Sequence, residues 1–186
     1  NILDLNSAIS FIKDFKNPSA VIIKHNNPTG VAEDKSLEKA FKDALSCDPI
    51  FAFGGIIGLN KKVDKKTAEL IIKSGFMECV IAPSFEKAAI KILREKKNLR
   101  LVEIDLKDLD NDKFDFKKVY GGLLLQEKDQ KMLDPSDVKI VTKKKPTKEQ
   151  MESLLFGWKE IKNVKSNAIV LIKEKKTIGI GCGQTS

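Results

Sequence analysis

The two side chains best suited to acid–base chemistry are neighbours in the sequence. Lys24 and His25, the only histidine, follow an apolar run at 20–23 and open the polar segment 24–30. Histidine is the best general base at neutral pH, and a nearby lysine ammonium favours the neutral imidazole, which is the form that accepts a proton. His25 is therefore a candidate general base. The alternative is that a lone histidine is only a structural or surface residue.

Three further motifs could contact a ligand. Phe53-Gly54-Gly55 offers a ring face and a backbone that a flat ligand can approach closely, or it is simply a turn into a strand. Asn167 stands at the start of a predicted strand, where an amide side chain is disfavoured unless it has a hydrogen-bonding role or lies in a turn. The glycine-rich run 179–184 is similar to a phosphate-binding loop, but it lacks the lysine of a P-loop and indicates phosphate only weakly.

Alternating strands and helices must position these residues. Apolar runs, caps and turn residues predict strands at 20–23, 56–59, 79–82, 99–103, 119–125, 168–172 and 177–181, and helices at 7–15, 36–45, 64–74, 85–96 and 147–162. Segment 24–30 is predicted to be a loop and 105–116 a surface excursion. The alternation predicts an α/β fold with a mostly parallel sheet covered on both faces.

Ligands of parallel α/β sheets bind beyond the carboxyl ends of the strands. Lys24-His25, the Phe53–Gly55 segment and the neighbourhood of Glu78 to Pro83 are each adjacent to a predicted strand. We therefore expect these three groups to meet at the carboxyl edge of the sheet.

Composition limits the class of protein. The 186 residues are 41% hydrophobic, enough for a buried core, and no apolar run reaches the length of a membrane span. The three cysteines are far apart and form no CxxC pair, which predicts no zinc site and fits a reducing cytoplasm. The first residue is asparagine and the start does not resemble a signal peptide, so we expect a chain cut from a longer protein.

The net charge of +8 raises the question of a nucleic-acid partner. Only Arg94 and Arg100 are arginines, whereas phosphate and base recognition favours the bidentate arginine fork. The lysines are scattered, with carboxylates between them. This pattern favours a solvated surface, and anionic small molecules remain an option.

Six segments, taken in order, resemble the motifs of one enzyme family. They are 23–30, 48–57, 80–83, 121–124, 165–170 and 178–184. The family is the bifunctional phosphoribosylaminoimidazolecarboxamide formyltransferase / IMP cyclohydrolase of purine biosynthesis. The resemblance covers essentially the whole chain and lies within the formyltransferase half.

The resemblance implies a three-layer α/β/α fold of the cytidine deaminase-like type, in a version without metal. It implies a first subdomain at 1–126, a connecting segment at 127–146 and the start of a second, similar subdomain at 147–186. The cyclohydrolase domain of the family is absent from this chain. Exposed strand edges or apolar faces are expected where missing parts would pack.

The resemblance also implies a reaction. A formyl group would move from 10-formyltetrahydrofolate to the 5-amino group of AICAR, the aminoimidazole carboxamide ribonucleotide. Lys24, His25 and Asn167 match the catalytic residues of the family. The substrate-binding positions would be Ile50, Phe53, Gly54, Glu78 and Gln184.

The implied protein is a cytoplasmic homodimer that binds small-molecule substrates and neither nucleic acid nor membrane. Two alternatives remain open at this stage. One is a non-catalytic module of the same fold that binds a small molecule or a nucleotide. The other is a basic nucleic-acid-binding domain, which would need steeply salt-dependent binding.

Overall fold

The computed structural model of the protein describes residues 1–107, 109 and 113–183. The strands are β1 (Ser19–Lys24), β2 (Asn27–Glu33), β3 (Ile56–Leu59), β4 (Cys79–Ala82), β5 (Arg100–Glu103), β6 (Phe114–Val119), β7 (Gly122–Glu127), β8 (Ile169–Lys173) and β9 (Lys176–Gly181). The helices are α1 (Ile2–Ile12), α2 (Leu37–Leu45), α3 (Lys65–Lys73), α4 (Lys87–Leu93) and α5 (Lys148–Ile161), and a short 3-10 turn spans Pro135–Asp137.

A seven-stranded sheet in the order β5-β4-β3-β1-β2-β9-β8 forms the centre of the molecule. Strands β2, β3, β4, β5 and β8 run one way, and β1 and β9 run the other way. The sheet is therefore mostly parallel in strand direction, as predicted. Among the described strands, parallel neighbours occur only at β3–β4 and β4–β5, and β6 and β7 form a separate hairpin.

Helices cover both faces of this sheet. On one face α1 and α5 pack over a core that includes Phe11, Val21 and Phe156. On the other face α2, α3 and α4 pack over a core that includes Ile22 and Phe41. Strand β1 is buried on both sides, because its alternate residues point into the two cores. The predicted α/β class and the three-layer arrangement are confirmed.

Local signals in the sequence begin three of the helices as predicted. The Ser36 hydroxyl accepts a hydrogen bond from the third residue of α2, and the Asp64 carboxylate does the same for α3. Thr147 and Gln150 form a reciprocal capping box at the start of α5. Each contact satisfies an amide that the helix itself leaves unpaired.

The predicted loop at 24–30 was wrong, because most of it belongs to β2. Segment 27–30 carries the turn-forming residues Pro28 and Gly30, yet it pairs with β1 through a register shift at Ile22/Ile23. Glycine is required at position 30 because of packing and not because of a turn. A Cβ atom at this position would lie 1.9 Å from the carbonyl oxygen of Ala44, so its absence lets α2 pack against β2.

Two other elements differ from expectation. Helix α1 begins at Ile2, and Ser7 lies inside it, where its hydroxyl donates to the Leu3 carbonyl instead of capping the helix. The β6–β7 hairpin replaces two predicted segments: the surface excursion at 105–116 includes the start of β6, and the predicted strand at 119–125 is divided by the turn at 120–121.

Strand β2, in the first part of the chain, contacts β9, in the last part, directly. Val31 donates its backbone N–H to the Thr177 hydroxyl at 2.9 Å, and β9 pairs with β2 at Ala32 and Lys176. Strands β8 and β9 therefore lie in the same sheet as β1 to β5. The boundaries at 126 and 146 stay a prediction. Within the residues that the structure describes, no helix is long and apolar enough to cross a bilayer.

Candidate active site

His25 lies in a two-residue turn between two central strands. Lys24 ends β1 and pairs with Asn27 at the start of β2, which leaves His25 and Asn26 as the turn residues. Their φ angles are 52° and 61°, in the left-handed region that costs a residue with a side chain about 1 kcal/mol or more. The His25 side chain is exposed.

Two hydrogen bonds fix this turn. The backbone N–H of Asn26 donates to the Asp4 carboxylate at 2.7 Å, which joins the turn to the first turn of α1. The side-chain amide of Asn27 donates to the His25 carbonyl at 3.1 Å. The imidazole is therefore presented to solvent from a backbone that is held on both sides.

The Lys24 ammonium is fixed by the loop before β3. Its Nζ donates to the Phe53 carbonyl at 2.7 Å and lies 4.7 Å from the centre of the Phe51 ring. The same ring makes an edge contact with His25, with 6.4 Å between the ring centres. Phe51 therefore connects the lysine and the imidazole, and the cation lies over its electron-rich face.

An aromatic surface continues from this point. The rings of Phe53 and Phe76 are 5.6 Å apart, and the Gly54 N–H donates to the Phe76 carbonyl at 2.8 Å. Gly54 has φ of 75°, a conformation in which a side chain would be strained. Phe53 is 59% exposed and Ile50, on the same loop, is 87% exposed. This surface is suited to stacking against a flat ligand ring.

An ion pair borders the aromatic surface. The Glu78 carboxylate lies 2.6 Å from the Arg100 guanidinium, and the Glu78 N–H donates to the Gly55 carbonyl at 3.0 Å. Burial raises the pKa of the neighbouring Cys79 thiol to about 11, so it stays protonated at neutral pH and is not a nucleophile. The polar group available to a ligand here is the Glu78–Arg100 pair.

These residues meet at one edge of the sheet, but the edge is not the expected one. Lys24 is at the carboxyl end of β1, whereas Phe53, Glu78 and Arg100 lie at the amino ends of β3, β4 and β5. The reason is that β1 runs antiparallel to β3, so its end meets their beginnings. The expectation of a carboxyl-edge site was therefore wrong for β3 and β4, although the residues do come together.

Asn167 reaches the same edge from a distant part of the sequence. It precedes β8, whose first residue Ile169 pairs with Gly181 at the end of β9. Strands β1 and β8 are three strand spacings apart, roughly 14 Å, so Asn167 does not contact His25. The Asn167 side chain is exposed, and the peptide bond before it is cis. Gln184, the last predicted site residue, lies outside the described residues.

Few backbone contacts join the two halves of this edge. In the described part of the chain, the β2–β9 ladder consists of one residue pair, Ala32 with Lys176, at the opposite edge of the sheet. Thr177 adds hydrogen bonds to both the N–H and the carbonyl of Val31. Closer to the site, no ladder pair joins these strands within the described residues.

Sequence reasoning missed four residues of the site. Phe51, Phe76 and Arg100 contact predicted residues, and Asp4 contacts Asn26 in the turn that carries His25; only Phe51 stood in a motif that was singled out. The other three are brought to the site by folding from segments without a recognisable signature. An exposed aromatic residue next to a ligand motif was the one signal that could have found Phe51.

Two further observations concern other ligand classes. Over the described ranges, no group of three or more His, Cys, Asp or Glu side chains is placed to hold a metal ion. Away from the predicted residues, a groove of about 1390 Å³ runs between α5, β8 and the segment 138–146, with Trp158 and Val141 among its lining residues. None of the predicted site residues that the structure describes lines this groove.

The whole chain matches one family. The family model described as "AICARFT/IMPCHase bienzyme" matches residues 1–186. Several curated relatives carry the name "Bifunctional purine biosynthesis protein PurH". The chain is 52% identical over 186 residues to the one from Thermoanaerobacter sp. (strain X514) and 48% identical over 186 residues to the one from Caldicellulosiruptor saccharolyticus.

A more distant relative of the same name, from Oceanobacillus iheyensis, is 45% identical over 184 residues. The matches cover 99 to 100% of this chain but only 36% of each relative. The chain therefore spans about a third of the length of the curated relatives it matches.

Proposed function

Because the chain belongs to the AICARFT/IMPCHase bienzyme family, we propose that it carries part of an AICAR formyltransferase site. The reaction moves a formyl group from 10-formyltetrahydrofolate to the 5-amino group of AICAR, a step of purine synthesis. One observation carries the proposal. The only histidine lies on a fixed turn, beside an anchored lysine and an exposed aromatic surface.

Formyl transfer to an amine requires three groups. The amine must lose a proton as it attacks, the tetrahedral oxyanion needs a donor, and the departing folate nitrogen needs a proton. His25 accepts the proton of the amine. Asn167 orients the amine and the formyl oxygen through its amide. Lys24 polarises the formyl group or supports proton transfer to the leaving nitrogen.

The surroundings of Lys24 and His25 support these roles. The Lys24 ammonium uses one of its three protons for the Phe53 carbonyl, which leaves donors for a formyl oxygen. Both side chains contact Phe51, so their relative position is set before a ligand arrives. Such preorganisation lowers the cost of reaching the transition state.

The remaining predicted residues are assigned to substrate binding. Phe53, Gly54 and Ile50 form the loop against which the flat rings of the substrates stack. Glu78, with its Arg100 partner, offers a carboxylate to ring N–H donors at the same edge. Gln184, together with the glycine-rich end of β9, is assigned to AICAR.

We propose that this segment works within a longer protein. The chain covers 36% of its relatives, whose name calls them bifunctional, so the IMP cyclohydrolase activity and further substrate contacts belong to other segments. The subdomains 1–126 and 147–186, joined by 127–146, remain our proposed division. A cytoplasmic location and freedom from nucleic acid complete the proposal.

Homodimerisation of the complete protein is part of the same proposal. The β6–β7 hairpin exposes four apolar side chains on one face, Phe114, Phe116, Leu123 and Leu125, each between 42 and 60% exposed. Apolar faces of this kind mark protein contacts. Sedimentation of the complete protein should give a dimer. A strict monomer with full formyltransferase activity would contradict the proposal.

An assay of the complete protein tests the function directly. It should form formyl-AICAR only when both AICAR and 10-formyltetrahydrofolate are present. Binding of both compounds without turnover would favour the non-catalytic module. Sub-micromolar, sequence-dependent binding of an oligonucleotide at physiological salt would favour the nucleic-acid-binding domain.

A further inference from the structure

The turn that carries His25 is tied to α1 by a carboxylate that has no part in the roles assigned so far. The Asp4 Oδ1 atom accepts a hydrogen bond of 2.7 Å from the backbone N–H of Asn26, in a partly buried position. The two residues are 22 positions apart in the sequence. The contact is therefore tertiary, between the first turn of a helix and the tip of a hairpin.

The backbone of this turn needs an external support. His25 and Asn26 both have positive φ angles, as the two central residues of a tight hairpin turn require. Glycine tolerates this conformation best, and residues with a side chain, histidine and asparagine included, adopt it at a cost. A hydrogen bond to the Asn26 amide favours the native turn over the other backbone states that a strained turn can adopt.

Helix α1 provides a rigid base for that hydrogen bond. Ala8, Phe11 and Ile12 are buried to within 1% of full burial and pack against the central strands. The Asp4 carboxylate therefore fixes the position of the turn relative to the core. The imidazole follows, because it is attached to the residue before the bonded amide.

We propose that Asp4 is a positioning residue for formyl transfer, which holds the Lys24–His25 turn in its productive conformation without touching either substrate. This inference rests on the proposed function. The property that matters is an acceptor oxygen at the Asp4 position. A misplacement of the reacting groups by about 1 Å can cost about 10²-fold in rate.

A different role for Asp4 must be separated from this one. It is the acidic residue in the first turn of α1, where a negative charge stabilises the helix dipole. That role depends on the charge, whereas the positioning role depends on the oxygen. Asp4→Asn removes the charge and keeps an acceptor, and Asp4→Ala removes both.

The experiment compares these two variants in the complete protein, with Asp64→Ala as the control. Asp64 is also a carboxylate that accepts a backbone hydrogen bond at the start of a helix, at 2.8 Å, but it lies away from the turn. Steady-state kinetics, melting temperatures and amide exchange of a peptide covering 24–30 are measured for each protein.

The expected pattern has three parts. Asp4→Ala lowers kcat by about 10- to 10²-fold, changes KM for both substrates by less than about threefold, and speeds amide exchange at 24–30. Asp4→Asn keeps kcat within about threefold of wild type. Asp64→Ala lowers the melting temperature and leaves kcat and the exchange at 24–30 unchanged.

Two outcomes would overturn the inference. One is a folded Asp4→Ala protein with kcat within about twofold of wild type. The other is an Asp4→Asn protein as impaired as Asp4→Ala, which would assign the effect to charge. A wild-type protein without formyl transfer would instead overturn the proposed function itself, and the amide exchange would still report whether Asp4 holds the turn.

Discussion

Two tight turns close the antiparallel hairpins of the central sheet, and they lie at opposite ends of its strands. In the first, His25 and Asn26 connect the paired residues Lys24 and Asn27. In the second, residues 174–175 connect the ends of β8 and β9 in the same way. Both turns contain left-handed residues other than glycine, with φ of 52° at His25 and 57° at Glu174.

The two turns differ in what surrounds them. The second turn is held by partly buried ion pairs, from Lys175 to Glu33 at 3.0 Å and from Lys176 to Asp43 at 3.1 Å. The first is held by the carboxylate of Asp4 and lies against an exposed aromatic surface. Left-handed backbone is therefore a property of tight hairpins in general. The neighbouring side chains distinguish a candidate active site from a simple reversal of the chain.

The largest expected effect is a loss of activity on substitution in the first turn that substitution in the second turn does not cause. In the complete protein, His25→Ala should lower kcat by about 10²- to 10⁴-fold, because a positioned general base is lost. kcat/KM should fall in parallel and AICAR binding should barely change. Glu174→Ala is the matched control, since alanine meets the same left-handed backbone there, and it should keep wild-type kcat.

Steady-state kinetics and melting temperatures of the two alanine variants provide the check. A folded His25→Ala protein that keeps more than about a third of wild-type kcat would refute the general-base role, because the expected loss is at least about 10²-fold.

The lysines that precede the two turns give the next contrast. Lys24→Met keeps most of the side-chain volume and removes the ammonium that donates to the Phe53 carbonyl. We expect kcat to fall by about 10- to 10²-fold, as for the loss of one donor to a developing charge. Lys173→Met, at the equivalent exposed position of the other hairpin, should be neutral. Equal losses of kcat in the two variants would mean that the two turns do not differ in function.

A smaller effect concerns the ion pairs of the second turn. Burial alone would raise the pKa of the Asp43 carboxyl, but hydrogen bonds from Lys39 and Lys176 outweigh it and hold the pKa below its usual value. Its contribution to stability is therefore present above the unfolded pKa of about 3.9 and is lost as the pH falls through the lower folded value.

Asp43→Asn in the 186-residue chain should accordingly lower the unfolding free energy at pH 7 by about 1 kcal/mol, or roughly 2–4 °C in Tm. The difference from wild type should shrink below about pH 4. Thermal unfolding between pH 2.5 and 7 measures it. A difference that stays constant over this range would argue against the ion pairs as its source.

The smallest effect tests the backbone of the second turn alone. Glu174→Gly relieves the left-handed strain but adds entropy to the unfolded chain, and the two terms are of similar size. The unfolding free energy should change by less than about 0.5 kcal/mol, and kcat of the complete protein should be unaffected. Chemical denaturation gives the free energy. A loss of more than about 2 kcal/mol would mean that Glu174 has a contact beyond its own turn.

Much of the local structure could be predicted from the sequence, because its causes are local. Caps at Ser36, Asp64 and Thr147 and apolar runs such as 20–23 depend on residues within one turn or strand. Strand β2 could not be predicted this way. Pairing with β1 and the close packing of α2 on Gly30 outweigh the preference of its residues for a turn.

The candidate site was predictable in its residues but not in its assembly. Lys24, Phe53 and Glu78 could be selected by chemistry and resemblance, and the structure brings them to one edge. The direction of β1 relative to β3 depends on long-range pairing, which a single sequence does not encode in any local pattern. For the same reason the contact between Asp4 and Asn26 could not be foreseen.

A structure of the complete protein with AICAR bound tests the central claim most directly. The claim is that the edge formed by the end of β1 and the beginnings of β3 to β5 is the formyl-transfer site, with His25 as the base. The account predicts the 5-amino nitrogen of AICAR within about 3.5 Å of an imidazole nitrogen of His25, or within about 6 Å where one water bridges the two atoms. AICAR bound with its amine more than about 8 Å from His25 and Lys24, beyond the reach of one bridging water, would contradict it.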